Sequence, residues 1–305
     1  MIYTMGCSMT KWIWPTWSDW LQVYNEPVTN LANKGYGNQT ILWTLMDRLK
    51  TFTPDDHIII MWAENHRVGL WYDKPWIEEK DVLGFFPDTH GKLWFSKENN
   101  PYVGLYRTHP DLQPSFTQMV IDKLQTVLFA QLLLDKVGCS YSMHSSGNLW
   151  RDGRPIFYPK YQTVYQNTQT ISKTEIEIAK GIIALDPVKE IINQINWTKF
   201  VDTPKNILNP AEYTGIWEYY ITNKEYVSLK HDDDHHPHAL AHHDYALEKI
   251  LQLNPKTGVH RDIARKIAVE TMSIPIPSFS TEDFVISADT QLLDEKYKKL
   301  LDGLK

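Results

Sequence analysis

Apolar and polar positions follow two different periods along the first part of this chain. Ile2 to Met5 is a short apolar run that reads as a buried strand. Trp17, Trp20, Leu21 and Tyr24 then recur at helical spacing between Thr16 and Tyr24, and Pro27 ends that helix. Val28 to Ala32 predicts a second short strand. The stretch NKGYGNQT (33–40) reads as a turn in which two glycines permit positive φ. Asn38 stands where a side chain would cap a helix from about Gln39 to Leu49, with Ile41, Leu42, Leu45 and Leu49 on one face. HIIIMW, from His57 to Trp62, is an unbroken apolar run between turn residues, the pattern of a central parallel strand covered on both faces.

From His66 to Gln113 the periodicity dissolves into glycine, proline and aromatic residues, which reads as an insertion near the strand ends. Ser115 can cap a long helix through Lys136, carried by Ile121, Leu124, Val127, Leu128, Gln131 and Leu134. CSYSMH, from Cys139 to His144, predicts a fourth strand. Residues 150–230 mix short helices with loops broken at Pro204 and Pro210. A helix follows Pro237, from about Ala239 to Leu251, and another covers His260 to Met272.

Alternating strands and helices predict an α/β fold, a three-layer α/β/α sandwich with a mostly parallel central sheet. One domain would span residues 1–251, with insertions at about 66–113 and 150–225, followed by a C-terminal extension over 252–305 that wraps the domain or contacts a partner.

Charge and composition narrow the function classes. A net charge of −6 over 305 residues gives no electrostatic case for nucleic-acid binding. No segment has the length of a bilayer span, and the first residues lack the basic and apolar regions of a secretory signal, so a cytoplasmic location is expected. Cys7 and Cys139 are too few for a disulfide framework and read as reduced thiols. Tryptophan is the outlier, at 12 residues, beside 16 tyrosines. Such rings fill a core or line a carbohydrate surface.

Candidate chemistry begins at Ser8, which follows the first strand and precedes a helix, where open α/β sheets bind ligands. GCSMT is not the Gly-x-Ser-x-Gly elbow, because Thr10 replaces the second glycine. A serine nucleophile needs a base, and the base an orienting carboxylate. HDDDHHPHALAHHDYAL (231–247) holds six histidines and four aspartates in seventeen positions. An aspartate two or three residues before a histidine on one tight turn can share a pocket edge with it. Two other readings fit the same composition. His238 and His242, four apart, would share a helix face as zinc ligands can, although Ala239 stands where a metalloprotease motif has its glutamate. A solvated polar turn capping a helix is the other. Asn65 just beyond the third strand, and the backbone N–H groups and Asn38 amide of the 33–40 turn, could supply oxyanion donors.

In order along the chain, these blocks resemble the SGNH (GDSL-like) hydrolase superfamily. GCS (Gly6, Cys7, Ser8) is similar to that family's Gly-Asp-Ser block, with Cys7 in place of aspartate. NLANKG places Gly35 at the second block, and AENH keeps Asn65 of the third between Ala63 and His66. DDHHPHALAH supplies Asp233, His236 and Pro237 of the fourth, then Ala241 and His242. The proline anchor selects Asp233 and His236, although Asp234 lies two residues before His236 and Asp232 three before His235. The matching blocks and adjoining strands cover about a third of the chain. More narrowly, GCSxTxxxWPTWxDWL resembles SGNH-like proteins encoded by marine tailed bacteriophages.

The resemblance implies a serine esterase without a cofactor or catalytic metal. Ser8 would be the nucleophile, His236 the base and Asp233 its orienting carboxylate. The Ser8 N–H, the Gly35 N–H and the Asn65 side chain would form the oxyanion hole. Trp12, Trp14 and Asn38 are the expected substrate contacts, with Trp71 and Trp76 as further aromatic wall. An O-acetylated polysaccharide is one ester substrate that such rings suit. The second functional class is a phage virion or assembly protein that uses the fold as a binding module, with virion or homo-oligomer contacts through the C-terminal extension.

Overall fold

The computed structural model describes residues 1–24, 27–33, 36–63, 69–71, 92–94, 115–150, 173–201, 209–211, 215–229, 236–255, 257–272, 274 and 288–304. Four strands form its main sheet: β1 (Ile2–Met5), β2 (Val28–Asn30), β3 (His57–Trp62) and β6 (Ser140–Ser145). Their order is β2-β1-β3-β6 and every pairing is parallel. Ile2 is in register with both Val28 and His57, and Trp62 with Ser145. The apolar run of β3 is buried from Ile58 to Trp62, as an inner strand between two neighbours requires.

Parallel neighbours need crossovers, and here they are helical. α1 (Trp17–Tyr24) links β1 to β2, α2 (Asn38–Arg48) links β2 to β3, and α3 (Phe116–Val137) precedes β6. The chain leaves β1 toward β2 on one side and returns to β3 on the other. The switch point therefore lies between the carboxyl ends of β1 and β3, where sheets of this kind bind ligands.

The remaining helices are α4 (Lys173–Ile183), α5 (Asp186–Gln194), α6 (Ile216–Ile221), α7 (Lys224–Val227), α8 (Ala239–Tyr245), α9 (Val259–Thr271) and α10 (Ala288–Asp302). They gather in two groups: α1 packs with α8 and α10, and α8 with α9, while α2 packs with α3 and α3 with α5. The molecule is thus α/β with an all-parallel sheet, an arrangement compatible with a three-layer sandwich. Ala264, Ile267 and Ala268 of α9 belong to the same buried core as the sheet. Among the described residues no helix is long and apolar enough to cross a membrane.

Local chemistry explains where elements begin and end. Ser115 caps α3 by accepting from the Gln118 N–H at 3.1 Å, and Gly138 closes that helix in the left-handed region at φ 80°. β2 stops at Asn30, short of the expected Ala32. The Asn30 side chain takes over there, accepting from the Ala32 N–H at 2.9 Å and donating to the Thr10 carbonyl at 3.0 Å. The expected cap at Asn38 is corrected: Gly37 is the N-cap residue of α2 and makes no side-chain bond, while Asn38 is already helical. The helix after Pro237 is α only as far as Tyr245 and continues as a π-helical turn, Ala246–Ile250. Within the 66–113 insertion, β4 (Gly69–Trp71) and β5 (Lys92–Trp94) pair antiparallel, two strands that the pattern did not signal. Trp71 lies in β4, and Trp76 lies outside the described residues.

Candidate active site

The turn after β1 is built on Gly6. A Cβ there would collide with Thr10 Oγ1 and lie 3.0 Å from the Met61 carbonyl, so only glycine fits so close to β3. The Cys7 carbonyl then accepts from the N–H groups of Thr10 and Lys11 at 2.9 and 3.2 Å. This wraps the chain tightly around Ser8, just past the carboxyl end of β1. The Cys7 side chain points into the core and is fully buried.

His236 reaches the same place from the other end of the chain. Its Nε2 lies 2.7 Å from Ser8 Oγ across 228 residues of sequence. With Ser8 donating, the imidazole carries its own proton on Nδ1. Ser8 is 3% exposed and His236 is partly buried.

Contacts from both ends of the chain hold the histidine in position. Trp12 stacks on its ring, with centroids 3.7 Å apart and planes 22° from parallel. Trp14 donates its indole N–H to the Pro237 carbonyl at 2.8 Å, pinning the residue next to His236. Trp12 and Trp14 meet edge to face at 6.2 Å. His238, one residue beyond Pro237, is the N-cap of α8. Its Nδ1 accepts from the Ala241 N–H at 3.3 Å and its Nε2–H donates to the Tyr226 carbonyl at 2.8 Å. Burial pushes His238 down to about 4, which keeps it neutral and able to do both.

The structure brings Ser8, His236 and Trp12 together. Trp14 is 2% exposed and occupied with Pro237. Asn38 is buried, and its Oδ1 accepts from the Ala63 N–H at 2.8 Å, tying the start of α2 to the end of β3. Gly35, Asn65 and the aspartates 232, 233 and 234 lie outside the described residues. His238 and His242 are both buried, and His238 is taken up by the Tyr226 carbonyl and the Ala241 N–H. His242 is fully buried, and burial, with His236 and His238 nearby, holds it well below the usual histidine value. Among the described residues no group of three or more His, Cys, Asp or Glu side chains is arranged to hold a metal ion.

Sequence reasoning missed the stacking of Trp12 on the histidine and the Trp14–Pro237 bond. Each joins residues more than 200 positions apart, and no local pattern signals either of them. It also missed a second cluster around Tyr24, at the end of α1, with His243 and Asp244 of α8 and Arg261 of α9. No protein-family model, curated protein or solved structure matches this chain, so the reading of the site rests on its own geometry and on the order of its sequence blocks.

Proposed function

We propose that the protein is a serine esterase in which Ser8 is the nucleophile and His236 its general base. The observation that carries this is the 2.7 Å contact between Ser8 Oγ and His236 Nε2 at the carboxyl edge of a parallel sheet. The distance is that of a nucleophile–base pair, and the sheet edge is where such chemistry gathers. Support also comes from the resemblance of the four sequence blocks to SGNH hydrolases.

In this mechanism Ser8 Oγ attacks the ester carbonyl as its proton passes to His236 Nε2. The tetrahedral intermediate collapses, the C–O bond to the alcohol breaks, and His236 returns the proton to the departing oxygen. Water then attacks the acyl-serine by the same proton path in reverse. Asp233 is proposed to orient the imidazole, and the Ser8 and Gly35 N–H groups with the Asn65 side chain to bind the oxyanion. The substrate class is a carboxylic ester, with O-acetylated polysaccharide the polymeric form to be tried.

The test is covalent labelling by a fluorophosphonate probe, with hydrolysis of p-nitrophenyl acetate and release of acetate from acetylated xylan. Wild type should label at one site and hydrolyse at least one of the two esters. Ser8→Ala should abolish labelling, and His236→Gln should slow it by about 10³-fold or more. A wild-type protein that neither labels nor hydrolyses would mean that the Ser8 hydroxyl merely satisfies a half-buried ring.

A further inference from the structure

Tyr24, the last residue of α1, directs its hydroxyl at two histidines: His243 Nε2 at 3.1 Å and His260 Nδ1 at 3.0 Å. His243 Nδ1 lies 2.8 Å from Asp244 Oδ1, and both residues are 1% exposed. Asp244 Oδ2 accepts from the Tyr226 hydroxyl at 2.9 Å and from Arg261 Nη2 at 2.8 Å, and Arg261 Nε reaches both carboxylate oxygens. Arg261 and Arg265 also hold Glu225.

These contacts fix the direction of each hydrogen bond. A carboxylate held by a guanidinium and a phenol is ionised and can only accept, so His243 carries its proton on Nδ1. Its Nε2 then accepts from Tyr24, and the Tyr24 oxygen accepts from His260 Nδ1–H. Burial, with the Asp244 charge, pushes Tyr24 up to about 12, so the phenol keeps its proton. The chain of bonds thus runs one way and ends at His260 Nε2, which no described residue engages.

A cavity of about 290 Å³ adjoins this terminus; its wall includes the cation Arg261, the polar Tyr24, His243, Asn254, Thr257 and His260, and the apolar Leu247, Leu253 and Val259. That volume is at the small end of ligand sites. The wall is shaped by the π-helical turn Ala246–Ile250 and by two residues with positive φ, Gln252 at 56° and Gly258 at 134°. π-Turns of this kind recur at functional sites. Asp244 and Glu225 are paired with Arg261 and Arg265, and of these four Arg261 lines the cavity. An amine would find both carboxylates already engaged, whereas an anion meets the Arg261 guanidinium on the cavity wall. A carboxylate can stand as counter-ion to the free imidazole nitrogen once that nitrogen takes a proton from solvent.

We infer that this cavity binds a short aliphatic carboxylic acid. The acid binds as its carboxylate, His260 Nε2 takes up one proton from solvent, and the carboxylate pairs with the imidazolium while the alkyl chain lies against Leu247, Leu253 and Val259. The site is separate from Ser8: it stands at the far end of α1, about 10 Å along the helix axis from Trp17.

The test is isothermal titration of the full chain with sodium butyrate and, separately, with butyramide, its uncharged isostere. Butyrate should bind saturably with a Kd on the order of 1 mM, as a ligand of so few atoms allows. Butyramide should bind at least tenfold more weakly. His260→Gln, which keeps a donor near Tyr24, should weaken butyrate at least tenfold. Leu253→Trp, at a half-exposed rim position, should fill the cavity and abolish binding with the thermal melt unchanged. Fluorophosphonate labelling of Ser8 should be the same in both variants, so failure here and failure of the esterase reading are distinguishable. No saturable uptake by wild type, equal affinity for butyramide, or butyrate binding unaffected by both substitutions would each overturn the inference.

Discussion

Replacing Trp12 by leucine removes one face from the surroundings of His236 while leaving the Ser8–His236 contact in place. The indole lies 3.7 Å from the imidazole, centroid to centroid, and 22° from parallel. When His236 takes the Ser8 proton it becomes an imidazolium, and a cation over an indole is stabilised by about 1 kcal/mol when exposed and about 2 when desolvated. His236 is partly buried, so the effect falls between these limits. That stabilisation exists only once the proton has moved, so it acts on the transition state and not on the bound ester. Trp12→Leu should therefore lower kcat about 5- to 30-fold with little change in KM. Trp12→Phe keeps a π face and should recover part of the loss. The assay is kcat and KM for p-nitrophenyl acetate in wild type and both variants, with the fluorophosphonate labelling rate as a readout independent of substrate binding. Trp12 is only partly buried and packs at the margin of the core, so the fold should survive the change. A raised KM with unchanged kcat and labelling would refute this reasoning and make Trp12 a substrate wall. Equal kinetics in all three proteins would leave the stack without a role.

Gly6→Ala should force the Ser8 turn away from β3, because the obstacle on one side is the Met61 backbone at 3.0 Å; a stability loss of about 1–3 kcal/mol in urea, with labelling reduced further than unfolding accounts for, is expected, and unchanged labelling counts against it. Cys7→Asp would set a carboxylate in a fully buried apolar position; a loss of about 3 kcal/mol or more is expected in urea, and a midpoint equal to wild type would sink that account. Stability should fall with acid, because burial holds His144 at about 3, His238 at about 4 and His242 also far below its ordinary value. Unfolded histidines take up protons near pH 6.5 while these three stay neutral, so the unfolded state binds more protons and stability rises with pH between about 4 and 6.5. From pH 7 to 5 the loss is about 2 kcal/mol each for His144 and His238, with His242 acting in the same direction, and equal urea midpoints at the two pH values would refute it.

Elements whose boundaries depend on neighbouring residues were readable from the chain. β3 is a run of apolar side chains because both its faces are covered, and α3 begins at a serine because its first N–H groups need an acceptor. Asn38 shows where that logic stops. An asparagine just before an apolar helical period is a cap by local rules, yet a partner 25 residues away, the Ala63 N–H, takes its side chain and Gly37 occupies the cap position instead. The histidine- and aspartate-rich segment fails for a related reason. Its composition suggests one site, but the turn at Pro237 and the rotation of α8 send its members to separate surroundings. His236 reaches Ser8, His238 caps the helix, His242 enters the core, and His243 and Asp244 join Tyr24 and Arg261.

The tryptophans divide in the same way. Trp17 and Trp20 lie on the helical period of α1 and are fully buried, as their spacing requires. Trp12 and Trp14 precede the helix, where no period says which way a ring faces. Closeness to Ser8 in the chain suggested a wall for substrate. Yet any residue held close to a nucleophile is also held close to its base, and the base is the partner that has the flat, polarisable face an indole can cover. Chain position alone cannot separate those two partners; only the path of residues 236 and 237 past the first turn does, and that path comes from the far end of the sequence.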